Sequence, residues 1–84
     1  MRIIDQWNTC DIPYDQTVLA IDEGNVIADF KDRSILIAEY SDIETAKKAL
    51  SKLRIAYQKL LHDSIEVMAG NNSEYFRFPT EDQL

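Results

Sequence analysis

Eighty-four residues make one domain, 1–84, of ordinary globular composition: 45% apolar, 29% charged, with Asp+Glu 15 against Lys+Arg 9. The net charge of −6 excludes general binding to nucleic acid, which needs a basic footprint. Cys10 is the single cysteine and His62 the single histidine, so no intrachain disulfide, no C-x-x-C zinc spacing and no paired-histidine metal site is possible.

In chain order, Arg2 to Gln6 reads as a short strand, Trp7-Asn8-Thr9 as a turn and Cys10 to Pro13 as a returning strand. Pro13 lacks an N–H, which predicts a strand that is at an edge or very short. Tyr14-Asp15-Gln16 links onward to Thr17–Asp22 (TVLAID), a β-branched, apolar strand. Glu23-Gly24 is a hairpin signal, with Gly24 free to take positive φ. Asn25 to Lys31 (NVIADFK) returns, with Val26, Ala28 and Phe30 on one face and Ile27 and Asp29 on the other. Asp32-Arg33 turns again, and Ser34 to Tyr40 (SILIAEY) follows. Its run Ile35-Leu36-Ile37-Ala38 is apolar on both faces, which predicts a central strand.

Ser41 to Leu61 is the clearest element. Ser41 and Glu44 form an S-x-x-E capping box, and Asp42 and Glu44 place negative charge at the positive end of the helix dipole. Ile43, Ala46, Leu50, Leu53, Tyr57 and Leu60 recur at helical period, bordered by Ala49 and Ala56. The opposite face carries Lys47, Lys48, Lys52, Arg54 and Lys59, with no acidic residue from Thr45 to Leu61. Ile55 sits among these cations. Read plainly, this is a solvated face whose charges pair with acidic loops. The alternative is a contact face, with Ile55 as apolar anchor and the cations around it for an anionic or acidic partner.

His62-Asp63-Ser64 interrupts the pattern. Asp63-x-x-Glu66, Ile65, Met68 and Gly70 predict a short second helix over Ser64 to Ala69, with a strand at Ile65 to Met68 as the alternative. Glu74 to Phe78 (EYFRF) alternates and reads as the last strand, with Phe76 and Phe78 inward and Tyr75 and Arg77 outward. The end, with Glu81-Asp82, is expected to fray. The fold class is therefore α+β: an antiparallel meander sheet of four to six strands, one long helix packed on one face, and a short second helix.

No apolar run approaches the roughly 18 residues of a membrane span. Asp5 directly after Met1-Arg2-Ile3-Ile4 leaves no room for a signal-peptide core, so the expected location is the cytoplasm. A chain of this size buries only about 60–65% of its unfolded surface, so stability margins are thin and oligomerisation is open to it.

Certain segments resemble a family. They are Met1-Arg2-Ile3-Ile4, Asp11-Ile12-Pro13-Tyr14-Asp15 and Ala38-Glu39-Tyr40-Ser41 before the helix. Within the helix they are Ala46, Ala49-Leu50, Leu53-Arg54 and Ala56-Tyr57, and near the end Tyr75-Phe76-Arg77-Phe78-Pro79. Together they make the chain similar to small uncharacterised proteins of prophages and mobile elements of Firmicutes. The chain departs from that pattern at Trp7-Asn8, where a Gly-containing turn is usual, and at Arg77, where glutamine is usual. The resemblance implies an origin and carries over no catalytic residue.

Asp5, Asp11, Asp15, Asp22 and Glu39 have no metal or acid/base spacing. His62 has no nucleophile motif beside it, Cys10 has no cationic neighbour, and the two glycines are isolated. The expectation is a non-enzyme without cofactor or metal. Trp7, Tyr14 and Asp15 near the first hairpin, and Tyr75 and Arg77 on the last strand, join the helix face as candidate contact groups. The expected binding set is Lys48, Lys52, Arg54, Ile55, Lys59, Tyr75 and Arg77. The expected function is non-catalytic counter-defence: an accessory protein that inhibits a host immune factor by binding it. The alternatives are a homo-oligomeric sponge for a small nucleotide-type signal and a purely structural homodimer.

Overall fold

The computed structural model describes residues 1–63 and 75–84. The elements are β1 (Arg2–Ile4), β2 (Asp11–Pro13), a 3-10 turn (Tyr14–Gln16), β3 (Thr17–Asp22), β4 (Asn25–Phe30), β5 (Arg33–Glu39), α1 (Ile43–Asp63), β6 (Tyr75–Arg77) and a second 3-10 turn (Glu81–Gln83). This is an α+β fold, but its strands do not form the single meander expected. They make two three-stranded sheets, β2-β1-β6 and β3-β4-β5. The second is the antiparallel meander; in the first, β6 lies parallel to β1, with Ile3 opposite Phe76. The helix expected over Ser64 to Ala69 lies outside the described residues.

Gln6 joins the two sheets. Its N–H donates to the Ile37 carbonyl (2.8 Å), its Oε1 accepts from the Glu39 N–H (3.0 Å), and its Nε2 donates to the Pro79 carbonyl (3.0 Å). The side chain thus bonds to the free edge of β5 and to the segment that follows β6. Ile37 is the extra residue of a bulge: Val26 faces Ala38 while Ile27 faces Leu36, and both Ile37 and Ala38 are buried. The two-faced apolar run of β5 therefore does not make β5 central. β4 is the central strand, and β5 lies at the junction with the other sheet.

One face of the β3-β4-β5 sheet presents Leu19, Ile21, Val26, Ala28 and Phe30 to the core, and α1 covers it with Ala46, Ala49, Leu50 and Leu53. Ile3, Ile12 and Phe78 extend the core under the smaller sheet. Phe78 is buried and meets Phe76 edge-on at 5.4 Å, so the predicted inward pair holds. Fully burying a side chain such as Leu53 contributes about 1.5–3 kcal/mol. Ile43 departs from the predicted stripe and is exposed.

The helix starts on Asp42, not Ser41. Asp42 Oδ1 accepts from the Thr45 N–H (2.8 Å) and hydroxyl (2.7 Å), which holds the Asp42 carboxyl below the usual carboxylate range. The Ser41–Glu44 box does not form because Ser41 is engaged elsewhere: its N–H donates to Glu81 Oε1 (2.9 Å) and its hydroxyl to Glu81 Oε2. The chain end is accordingly ordered rather than frayed. Thr80 and Gln83 cap the last turn reciprocally, and Tyr40 Oη donates to the Pro79 carbonyl (2.6 Å). The helix runs through His62 to Asp63, so no interruption falls at His62. In the β3-β4 hairpin the positive φ (59°) belongs to Glu23, not Gly24. Glycine is required at 24 by close approach: a Cβ there would lie 2.1 Å from the Tyr40 carbonyl oxygen.

Candidate functional site

The outer face of α1 is built by helical geometry alone. At 100° per residue, Lys48, Lys52, Ile55 and Lys59 point the same way, opposite the buried Ala46, Leu50 and Leu53. All four are exposed, Ile55 at 64%. No ion pair engages these three lysines among the described residues; Lys47, on the flank, pairs with Glu44 at 3.8 Å, a partner the sequence reading did not assign. Largely solvated, Ile55 contributes little to the core, while a contact that buried its exposed part would gain up to about 1.5–3 kcal/mol.

Arg54 does not belong with this group. It is rotated toward the flank of the buried stripe and lines a cleft of about 180 Å³ with Tyr14, Thr17, Leu19 and Leu50. The cleft lies where the 3-10 turn and β3 meet α1. Tyr14 packs against Tyr57 of the helix, with centroids 4.5 Å apart and planes tilted by 55°. Tyr14 is thus separated from Trp7, which stays half-exposed at the first hairpin. Arg54 makes no ion pair among the described residues.

Tyr75 and Arg77 point outward from β6, as alternation predicts, with Tyr75 at 63% exposure. Arg77 Nη2 reaches the Gln6 carbonyl at 3.4 Å, so it serves the sheet junction. The seven expected residues thus lie on three elements of the surface: Lys48, Lys52, Ile55 and Lys59 on the outer face of α1, Arg54 at the cleft, and Tyr75 and Arg77 on β6, an edge strand of the smaller sheet.

Asp5 is buried and fully engaged. Burial pushes its carboxyl up, but hydrogen bonds from the Thr9 hydroxyl (2.5 Å) and from the Cys10 (3.0 Å) and Thr9 (2.5 Å) amides outweigh that and hold it below the ordinary value. It pins the β1-β2 hairpin. The Cys10 thiol is pushed up, first by burial and then by the Asp5 charge, which disfavours the thiolate. Among the described residues, no three His, Cys, Asp or Glu side chains are grouped to hold a metal ion, and no helix is long and apolar enough to cross a membrane.

One surface escaped the sequence reading: the outer face of the β3-β4-β5 sheet. The register sets Ala20, Ile27 and Leu36 in one row across the three strands, beside Val18 in the next. Val18 is 66% and Leu36 42% exposed. The signal was present in TVLAID, NVIADF and SILIAEY, each apolar on both faces.

No protein-family model, curated protein or solved structure matches the chain.

Proposed function

We propose that the protein acts without catalysis, as a binding protein whose contact surface is the outer face of α1. The observation that supports this reading is Ile55, exposed at the centre of a face whose cations, Lys48, Lys52 and Lys59, have no ion-pair partner among the described residues. An apolar anchor ringed by like charges suits an acidic protein surface: the anchor supplies affinity on desolvation, and the lysines speed and orient the encounter. Following the resemblance to prophage and mobile-element proteins, the partner is a host immune factor in the cytoplasm, and the effect is inhibition by occupancy.

The test is protection of an invading phage or plasmid in a host expressing the protein. Ile55→Asp abolishes protection while leaving the fold intact. Lys48→Glu with Lys52→Glu weakens it, and slows association with the partner most at low salt. Cys10→Ser and His62→Ala leave it unchanged; loss of protection in either folded variant would refute the non-catalytic reading.

The cleft at Arg54 supports a second reading, a sponge for a small anionic ligand, with the guanidinium and the Tyr14 ring as its grip. Its 180 Å³ falls below the roughly 300–1,000 Å³ of small-molecule sites. A nucleotide would therefore need walls from a second subunit. Ligand-dependent thermal stabilisation that Arg54→Ala removes would favour this reading.

A further inference from the structure

We infer that the chain associates with copies of itself head to tail, the outer face of α1 in one copy seated on the outer face of the β3-β4-β5 sheet in the next. This rests on the reading of α1 as a contact surface and names one occupant for it, a second copy of this chain.

The outward positions of the sheet are Val18, Ala20 and Asp22 on β3, Asn25, Ile27 and Asp29 on β4, and Ser34, Leu36 and Glu39 on β5. They combine an apolar centre with Asp22, Asp29 and Glu39 and include no cation. Asp29 accepts from the Ser34 hydroxyl at 2.5 Å. The nearest cations belong elsewhere: Arg33 pairs with Phe30 and falls on the inner side by alternation, and Lys31 lies over the Phe30 ring at 5.3 Å. The sheet face is thus an apolar patch with an acidic rim, and the helix face is an apolar point with a basic rim. Each is the charge complement of the other.

The two faces lie on opposite sides of the domain, because α1 packs on the inner face of the same sheet. A chain cannot satisfy its own pair. A two-fold dimer through the centre of the helix face would set Lys48, Lys52 and Lys59 against one another, with Glu44 at the end of that face already paired with Lys47, and one through the sheet would set carboxylate against carboxylate. The heterologous arrangement brings the three lysines to the carboxylates and covers Ile55 with Val18, Ile27 and Leu36. Such an interface propagates to a ring or an open filament rather than closing as a dimer.

The experiment is sedimentation velocity at about 0.15 M salt, where charges more than about 8 Å apart are screened. Wild type is run over a protein range of about 10 μM to 1 mM, which covers weak interfaces. It should sediment faster as concentration rises. Ile55→Asp and Leu36→Lys, both at exposed sites, should each remain monomeric. An equimolar mixture of the two should form a 1:1 complex and grow no further, because each variant retains the face the other has lost. Val18→Lys replaces Leu36→Lys if circular dichroism shows the latter misfolded. A wild type that stays monomeric overturns the inference, as does either variant that still self-associates, or a mixture that stays monomeric. Failure here together with loss of protection in Ile55→Asp leaves the host-partner reading standing. Self-association lost in Ile55→Asp with protection retained removes that reading and leaves this inference.

Discussion

Replacing Gln6 by leucine keeps the side chain's bulk and removes two hydrogen bonds that tie the sheets together. The Glu39 N–H loses its acceptor Oε1 at 3.0 Å, and the Pro79 carbonyl loses the Nε2 donor at 3.0 Å. Glu39 is an exposed residue, but its bond to Gln6 is part-buried; an N–H left without a partner there costs up to about 1–3 kcal/mol, and a lost neutral hydrogen bond about 1 kcal/mol. Pro79 keeps its bond from Tyr40 Oη, so its carbonyl is not orphaned. The expected loss is about 2–4 kcal/mol, against a total of about 4–13 kcal/mol for 84 residues. Urea unfolding followed by Trp7 fluorescence reads this directly, because the single tryptophan adjoins Gln6. With m of about 1 kcal/mol/M, the midpoint should fall by about 2–4 M urea. A midpoint within about 0.5 M of wild type at unchanged m would show that the sheets are held by packing alone and that the Gln6 bonds are dispensable.

Tyr40→Phe removes the bond to Pro79 and should cost about 1 kcal/mol near neutrality. Burial, with the Glu81 charge second, pushes the Tyr40 hydroxyl up to about 12 from 10.0. The stability it brings is therefore complete below pH 10 and lost as pH rises through about 12, a decline that denaturation across this window should show in wild type and not in the Phe variant. Leu53→Asp sets an unpaired carboxylate at a fully buried position, several kcal/mol unfavourable. It should yield unfolded or insoluble protein, whereas Leu50→Asp should be milder in thermal unfolding, because Leu50 borders the cleft beside Arg54.

Local chemistry was legible where local rules decide. The helical period of Ala46, Ala49, Leu50 and Leu53 predicts their burial, and the same geometry predicts Ile55 outside. The β3-β4 turn follows from Glu23-Gly24, but the next turn falls one residue earlier than Asp32-Arg33: it is Lys31-Asp32, with the positive φ (57°) at Lys31, and Arg33 opens β5 opposite Phe30. What failed depended on residues far apart in sequence. Ser41-x-x-Glu44 and Asp42-x-x-Thr45 are both plausible caps, and the choice falls to Asp42 because Glu81, 40 residues away, takes Ser41. The parallel pairing of β6 with β1 joins Ile3 to Phe76, which no local pattern encodes. A two-faced apolar run such as that of β5 has two physical causes. A central strand is one; a bulge at a sheet junction, with an apolar outer patch, is the other. Arg54 shares the lysines' charge, but its angle on the helix wheel sets it apart from them.

The side chains whose polar bonds hold the fold together lie away from both outer faces. Gln6 and Tyr40 converge on the Pro79 carbonyl, Asp5 pins the first hairpin, and Glu81 ties the chain end to Ser41 beside the helix start. None of these groups is Val18, Leu36, Lys48, Lys52 or Ile55, and those five make no side-chain hydrogen bond or ion pair among the described residues. In a domain this small, an exposed apolar side chain adds little to stability and raises the risk of unwanted association. The proposed contacts would bury Val18, Leu36 and Ile55, which are 66%, 42% and 64% exposed. Because folding and contact rest on different residues, a loss of binding at Ile55 without a fall in stability would locate the effect at the surface, and a joint loss at Gln6 would locate it in the fold.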